Sequence, residues 1–373
     1  MDLNPTAEQQ AVATEARRLL AAELTRERLA AFDREPAGHD ARFWRTIGEL
    51  GWLGYALPER FGGQGGSLLD LGLLLEECGR AAAPFGLFAA ICGALALDAL
   101  GTPAQKREWL PALARGERLV TLAVAERCAV AEPRAFATVV RRRGGRLVLA
   151  GAKWFVAQAV TADAFLVLAR DGRGVSAVLV PADAAGVTVR ALETLGKDRQ
   201  SVVELRRVEL PASALAGRAG AAWPRWERLR RTLATLLCAE LVGGADAALA
   251  MTVAHVCERE QFGAKLGTFQ AVQQMAATMA IDVEAARHLT RQALWRLANG
   301  VAAEREVAIA KAWTGRAYRD VTVLAHQLHG GAGYVVEHPL HRHTLRAKEA
   351  ELLFGSTEDW YEDLAERLRL APR

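Results

Sequence analysis

Cysteine is scarce. The five residues (Cys78, Cys92, Cys128, Cys238 and Cys257) are odd in number and widely spaced, lie mostly among apolar neighbours, and include no Cys-x-x-Cys pair. That pattern excludes a disulfide framework and points to reduced thiols in a cytoplasmic protein. Blocks of like charge are missing too: the net charge of +4 and pI near 8.9 come from arginines scattered among acidic residues. Nucleic acid is therefore not an expected partner, and the one basic run, Arg141-Arg142-Arg143 before Gly144-Gly145, reads as a solvated hairpin turn. No apolar run reaches the roughly eighteen residues of a membrane helix. Met1-Asp2-Leu3-Asn4-Pro5-Thr6 lacks the charged and apolar regions of a signal peptide. The glycine-rich stretch from Pro58 to Ser67 has no Gly-x-Gly-x-x-Gly spacing and follows helix-type sequence instead of a strand, which argues against a Rossmann site. Internal repeats and low-complexity linkers are absent.

What is present suits large buried cores: 373 residues, 40.3 kDa, 51% hydrophobic and 24% charged, enough for two or three structural units. Thr6 with Gln9 forms a capping box opening a helix through Leu24, with Val12, Ala16, Leu19, Leu20 and Leu24 on one face. Further helices are expected over 43–50, closed by Gly51, and over 68–82, 87–100 and 103–114, the last opened by Thr102-Pro103. From Leu119 the period changes to short β-branched runs broken by Gly-Gly, Asp-Gly-Arg-Gly and Pro-Ala-Asp, the pattern of a small antiparallel β domain. After Trp223-Pro224 the chain returns to long helical segments, 225–258, 269–299, 303–328, 338–353 and 358–368, joined by short glycine turns as in an antiparallel bundle. The expected class is α+β: a helical domain over 1–118, a β domain over 119–217 and a four-helix bundle domain over 218–373.

The stretch from His326 to Thr357 carries the strongest signal. An amphipathic run with Val307, Ala310, Ala317, Val321, Leu324 and Leu328 on one face stops at Gly330-Gly331. Glycines there free backbone N–H groups to approach an anion, although a plain glycine cap ends many helices in the same way. The sequence around it, His-Gln-Leu-His-Gly-Gly-Ala-Gly-Tyr, resembles the carboxy-terminal signature of the acyl-CoA dehydrogenase family, a Gln-x-x-Gly-Gly-x-Gly turn that meets the pyrophosphate of FAD. Arg259-Glu260-Gln261-Phe262-Gly263 followed by Phe269-Gln270 is similar to a second family element. Pro58-Glu59-Arg60-Phe61-Gly62-Gly63 resembles a third, the amino-terminal Pro-Glu-x-x-Gly-Gly loop. The three occur in family order across most of the chain.

The resemblance implies an FAD-dependent oxidoreductase that forms an α,β-double bond in an acyl thioester. A carboxylate removes the α-proton while the β-hydrogen leaves as hydride to the flavin. It further implies Arg259, Phe262, Gln270, Gln327, Gly330 and Gly331 as cofactor-binding residues. The expected partners are an acyl-CoA or acyl-carrier thioester and an electron-transfer flavoprotein. An oligomer, a homo- or hetero-dimer or tetramer of similar subunits, is implied because family members assemble this half of the site across a subunit interface. Physically, Arg259 can pair with a pyrophosphate oxygen and Phe262 can pack on the adenosine end. The alternative for Arg259 is an ordinary ion pair with Glu258 or Glu260.

This chain departs from the family elsewhere. Ala125-Glu126-Arg127 stands where Thr-Glu-Pro is usual, and Gly151-Ala152-Lys153-Trp154-Phe155-Val156-Ala157 lacks the hydroxyl of the family's aromatic-x-Thr pair. Backbone N–H groups remain at both places, and Trp154 or Phe155 could flank the ring. The position of the common catalytic glutamate falls on Phe354, and an alternative family position, on the long helix, falls on Leu233. Glu240, seven residues on and on nearly the same helical face, is the expected base, its apolar setting raising its pKa; the competing reading is a buried glutamate held by an arginine of a neighbouring helix. Glu227 and Glu126 are further carboxylates near these positions. Three readings follow: an acyl-CoA dehydrogenase with Glu240 as base, a half-site or non-catalytic subunit of a heteromeric dehydrogenase, and the same fold turned to monooxygenation or cyclisation of a carrier-bound acyl chain. The dense histidines of His338-Pro339-Leu340-His341-Arg342-His343, with His326 and His329 close by, suggest no metal, since no cysteine or paired acid completes a shell; surface or phosphate-contacting roles fit them better.

Overall fold

The computed structural model describes residues 3–127, 135–196 and 198–370. These form helices α1 (Ala7–Glu23), α2 (Arg26–Phe32), α3 (Ala41–Glu49), α4 (Leu68–Arg80), α5 (Phe85–Leu100), α6 (Pro103–Ala114), α7 (Trp223–Glu258), α8 (Gln270–Ala298), α9 (Glu304–His329), α10 (Leu340–Leu352) and α11 (Thr357–Arg367). The strands are β1 (Val120–Ala123), β2 (Val139–Arg143), β3 (Arg146–Ala157), β4 (Ala164–Asp171), β5 (Gly174–Pro181), β6 (Val187–Ala191), β7 (Gln200–Pro211), β8 (Leu215–Ala216), β9 (Glu260–Gln261) and β10 (Ala264–Lys265). Two compact units emerge, Met1–Arg26 with Ser67–Ala83 and Arg231–Arg373, and Glu27–Gly66 with Pro84–Arg230. The class is α+β.

The first unit is helical, and its helix starts are written in local chemistry. Thr6 Oγ1 accepts from Gln9 N at 3.2 Å while Gln9 Oε1 accepts from Thr6 N at 2.8 Å, satisfying two end donors of α1 reciprocally. Ser67 with Asp70 and Ser356 with Asp359 repeat the device at α4 and α11. The long helices pack through small residues, with Ala234, Ala293, Ala308, Ala310 and Ala312 gathered around Trp360. At the α4–α7 crossing a Cβ on Gly79 would lie 1.8 Å from the Glu240 carbonyl oxygen, and one on Gly243 would lie 1.7 Å from that of Glu76. Two glycines thus let the backbones touch. Beside them Glu76 and Glu77 are buried among Arg17, Arg80, Arg287 and Arg291, which keeps the two carboxylates paired.

Helix α7 corrects one expectation, since an 18-residue window within it reaches a mean hydropathy of 1.6, long and apolar enough to span a bilayer. That window is 72% buried inside the protein, the situation of a core helix that is apolar all round.

The second unit centres on a sheet of order β6-β7-β3-β2-β4-β5-β8 with β1 also on β4. Most neighbours are antiparallel, as expected, but the sheet is mixed: β1 and β2 each run parallel to β4, paired as Val120↔Ala164 and Val139↔Arg170. Side-chain alternation marks a strand without marking its partner's direction, which is why the parallel pairs were not legible. β4 is buried from Ala164 through Ala169, as suits a strand covered on both faces. Cys78, Cys92, Cys238 and Cys257 form no disulfide among the described residues; Cys128 lies outside them.

Candidate functional site

Helix α9 ends where the sequence places its stop. His329 is its last residue and Gly330 turns the chain with φ 57° and ψ −141°, its N–H donating to the His326 carbonyl. A Cβ at Gly330 or Gly331 would meet nothing within 4 Å. The turn therefore presents bare backbone to the outside, with Gln327, Gly330 and Gly331 all exposed.

Helix α7 ends close by. His255, one turn before Arg259, stacks on His329 with ring centroids 4.4 Å apart and 26° between planes. This contact ties the end of α7 to the glycine turn and brings Arg259 and Gly330-Gly331 to one region of the first unit. Arg259 is exposed, and no carboxylate among the described residues pairs with its guanidinium, Glu258 and Glu260 included. The next residues form a two-residue hairpin between β9 and β10, with Phe262 and Gly263 both at positive φ (55° and 78°), the geometry of a type I′ turn. A phenylalanine in that conformation is an outlier, and this one is 92% exposed, with its ring edge-on to Phe269 at 6.3 Å. Strain and exposure together leave this ring open to a ligand or partner. Gln270, also exposed, opens α8 immediately after Phe269.

So the hairpin groups Arg259, Phe262 and Gln270, the turn groups Gln327, Gly330 and Gly331, and the histidine stack joins the two groups. His255 and its stack on His329 were not legible, because nothing in linear sequence signals that two rings 74 positions apart will stack. Bare glycine backbone, an open guanidinium and an exposed aromatic are what a dinucleotide's diphosphate and adenine need.

Glu240 sits elsewhere in the same unit. It is 4% exposed, and Arg346 on α10 holds it, Nε donating to Oε1 at 3.1 Å and Nη2 donating to the same oxygen. Close by, Tyr318 Oη and His343 Nδ1 lie 2.9 Å apart, both rings buried, and burial pushes His343 down to about 4. This geometry favours the second reading of Glu240, a buried carboxylate committed to an arginine of a neighbouring helix. Apolar flanking sequence showed the burial but not the guanidinium waiting 106 positions away. Leu233 is fully buried, and Phe354, at φ 60°, packs against the Trp360 cluster. Glu227 pairs with Arg230 at 3.2 Å.

In the second unit Glu126 is structural. Ala137 N donates to its Oε2 at 2.7 Å, and Thr138 N and Lys153 Nζ donate to Oε1 at 3.0 and 2.8 Å. Burial works to raise Glu126, but Lys153 and the two N–H donors prevail and hold it below the usual carboxylate range. Lys153, fully buried 4.3 Å over the Phe136 ring, is pulled down by burial to about 8 against the opposing pull of Glu126. Nearby, Trp154 N donates to the Ala125 carbonyl at 2.9 Å, so that N–H is already used. Phe155 is strained at φ 56° and 53% exposed, the exposed aromatic of this segment. Among the described residues no group of three or more His, Cys, Asp or Glu is placed to hold a metal ion.

Comparison with known proteins agrees with this arrangement. Residues 6–117, 121–208 and 231–369 match the amino-terminal, middle and carboxy-terminal domains of acyl-CoA dehydrogenase. The chain is 33% identical over 326 residues to the acyl-CoA dehydrogenase FadE27 of Mycobacterium tuberculosis, covering 85% of each. It is 32% identical over 327 residues to the mitochondrial short-chain specific acyl-CoA dehydrogenase of Bos taurus, covering 84% of this chain and 79% of that one. The crystal structure of the ChsE4-ChsE5 complex from Mycobacterium tuberculosis superimposes with a TM-score of 0.91 at 29% identity, over all of both chains. The chain belongs to the acyl-CoA dehydrogenase family. Its activity is that of an FAD-dependent oxidoreductase that forms an α,β-double bond in an acyl thioester.

Proposed function

We propose that this chain binds FAD itself, with the diphosphate on the Gly330–Gly331 turn and Arg259 against it, Phe262 on the adenosine end, and Gln270 and Gln327 at the rim. The observation that supports this is the His255–His329 stack, which joins the end of α7, one turn before Arg259, to the glycine turn, with open space at Gly330 and Gly331. Bound there, FAD supplies the hydride acceptor. The protein's task is to hold it by fixed donors that need no rearrangement. The thioester substrate is an acyl-CoA, and the working unit is an oligomer of acyl-CoA dehydrogenase-like subunits, in keeping with the relatives. The exposed, strained Phe262 is then covered by the adenosine of that same FAD.

A second reading concerns the α-proton. Both family base positions are apolar here, at Phe354 and Leu233, and Glu240 is engaged by Arg346. This favours an assembly in which a different, complementary subunit supplies the carboxylate, as the two-component ChsE4-ChsE5 relative suggests. One experiment separates the readings: express the chain alone and with candidate partner subunits, measure flavin by its visible absorption, then add acyl-CoA thioesters anaerobically. Yellow protein bleached by thioester when expressed alone supports a self-sufficient dehydrogenase. Flavin and bleaching only on co-expression support the heteromer, and no flavin in either state contradicts both.

A further inference from the structure

The histidines at the glycine turn do more than join two helix ends. The His255–His329 stack continues to His338, whose ring meets His329 edge-on at 4.7 Å, and His326 stacks on Tyr334 at 4.6 Å. Four imidazoles thus line the inner side of the glycine turn, and the hydrogen bonds of two fix where their protons lie. His329 Nδ1 is 2.7 Å from the Ala325 carbonyl, which can only accept, so in the neutral ring Nδ1 carries the hydrogen and Nε2 is a bare lone pair. Thr344 Oγ1 donates to the Leu340 carbonyl at 3.2 Å, so it accepts from His326 Nε2 at 2.7 Å, and His326 Nδ1 is the bare nitrogen. Both bare nitrogens are buried with no hydrogen-bond partner among the described residues, in residues 5% and 8% exposed. Buried acceptors with nothing to accept are unfavourable, and a proton would turn each into a donor.

Resting on the FAD site proposed above, we propose that His255, His326, His329 and His338 form a proton-accepting half of the diphosphate clamp, so that seating the dinucleotide takes up protons onto this cluster. The empty protein is poised for it. Burial first, then neighbouring imidazoles, hold His326 and His338 below the ordinary histidine value; His255 is lowered by burial, His329 and Arg259, with Glu258 opposing. The groups facing the cluster are otherwise cationic or neutral: Arg259 from α7, His341 from α10 and Tyr334 from the turn. A diphosphate on Gly330 and Gly331 reverses that balance by placing negative charge beside the rings. Groups whose proton affinity is higher in the bound state strengthen binding as pH falls, and the gain is lost as pH rises through their bound-state values.

The test is calorimetric titration of FAD into the purified oligomer, stripped of flavin, at pH 6 and pH 8 and in buffers of differing ionisation enthalpy at pH 7. The expected result is net proton uptake and an affinity about tenfold or more higher at pH 6. His329→Gln and, on the half-exposed rim, His255→Gln are expected to bind FAD with less uptake and a flatter pH profile. Coenzyme A, which carries the same diphosphate, is titrated in parallel. FAD binding with buffer-independent enthalpy and equal affinity at both pH values overturns the inference and leaves the clamp standing, as does undiminished uptake in both variants. Proton uptake with coenzyme A alone overturns the assignment to the cofactor. FAD binding at neither pH overturns the proposed site itself.

Discussion

At the scale of single residues, the structure separates side chains that hold the fold from those it leaves waiting. Among the described residues no carboxylate pairs with Arg259, and replacing it with Gln is expected to weaken FAD binding roughly ten- to hundredfold, the effect of losing one charge-assisted hydrogen bond. Fluorescence titration would show it; unchanged affinity would move the diphosphate elsewhere. Phe262 is strained and solvent-facing, so Phe262→Gly should leave chemical stability within about 1 kcal/mol of the parent or raise it, while lowering FAD affinity. A large loss of stability would mean that the ring supports the isolated fold. Glu240 is the opposite case. Glu240→Gln removes the buried carboxylate that Arg346 grips and is expected to cost about 2–3 kcal/mol in urea unfolding, the loss of charge-assisted hydrogen bonds. The flavin of any surviving fold should still bleach with thioester, whereas intact stability with lost bleaching would restore Glu240 as the base.

Elements show which of these distinctions could be read in advance. Helix starts were legible because their signals are local: Thr6 with Gln9 predicts α1, and its capping box forms, while Thr102-Pro103 predicts the start of α6, where Thr102 caps together with Gln105. The turn after α9 was legible for the same reason. The β9–β10 hairpin, α2 and the histidine stack were not, since short elements carry too few residues for a period, and stacking depends on where distant helices end. The environment of α10 was equally hidden, and it leads to a pH prediction. His343 is buried and neutral with its pKa lowered to about 4, so between that value and 6.5 the unfolded chain binds the extra proton. Its contribution is therefore fully favourable above about pH 6.5 and is lost as pH falls, by about 3 kcal/mol once pH is below 4. Urea midpoints from pH 7 to 4.5 should fall more steeply in the parent than in His343→Phe; parallel curves would show that His343 protonates freely in the native state. The α4–α7 crossing gives a second test at this scale. Gly79→Ala must push two helix backbones apart and should destabilise by about 3 kcal/mol, the upper end of ordinary overpacking.

For the whole molecule, the succession of helices, sheet and helices followed from the change in hydrophobic period, because that period is set by backbone geometry alone. Strand direction in the mixed sheet and the pairing of Glu240 did not follow, because both depend on what a segment meets after folding. The family's chemistry divides in the same way: the diphosphate half is visible in contiguous glycines and an Arg-x-x-Phe-Gly run, while the base is invisible because its family positions hold Phe354 and Leu233. The measurement that bears most directly on this account is a crystal structure of the flavin-loaded oligomer. It should place a diphosphate within hydrogen-bonding reach of the Gly330–Gly331 backbone and the Arg259 guanidinium of one subunit, with Phe262 against the adenosine. A nucleotide bound away from that turn, or the turn closed over by a neighbouring subunit's side chains, would contradict it.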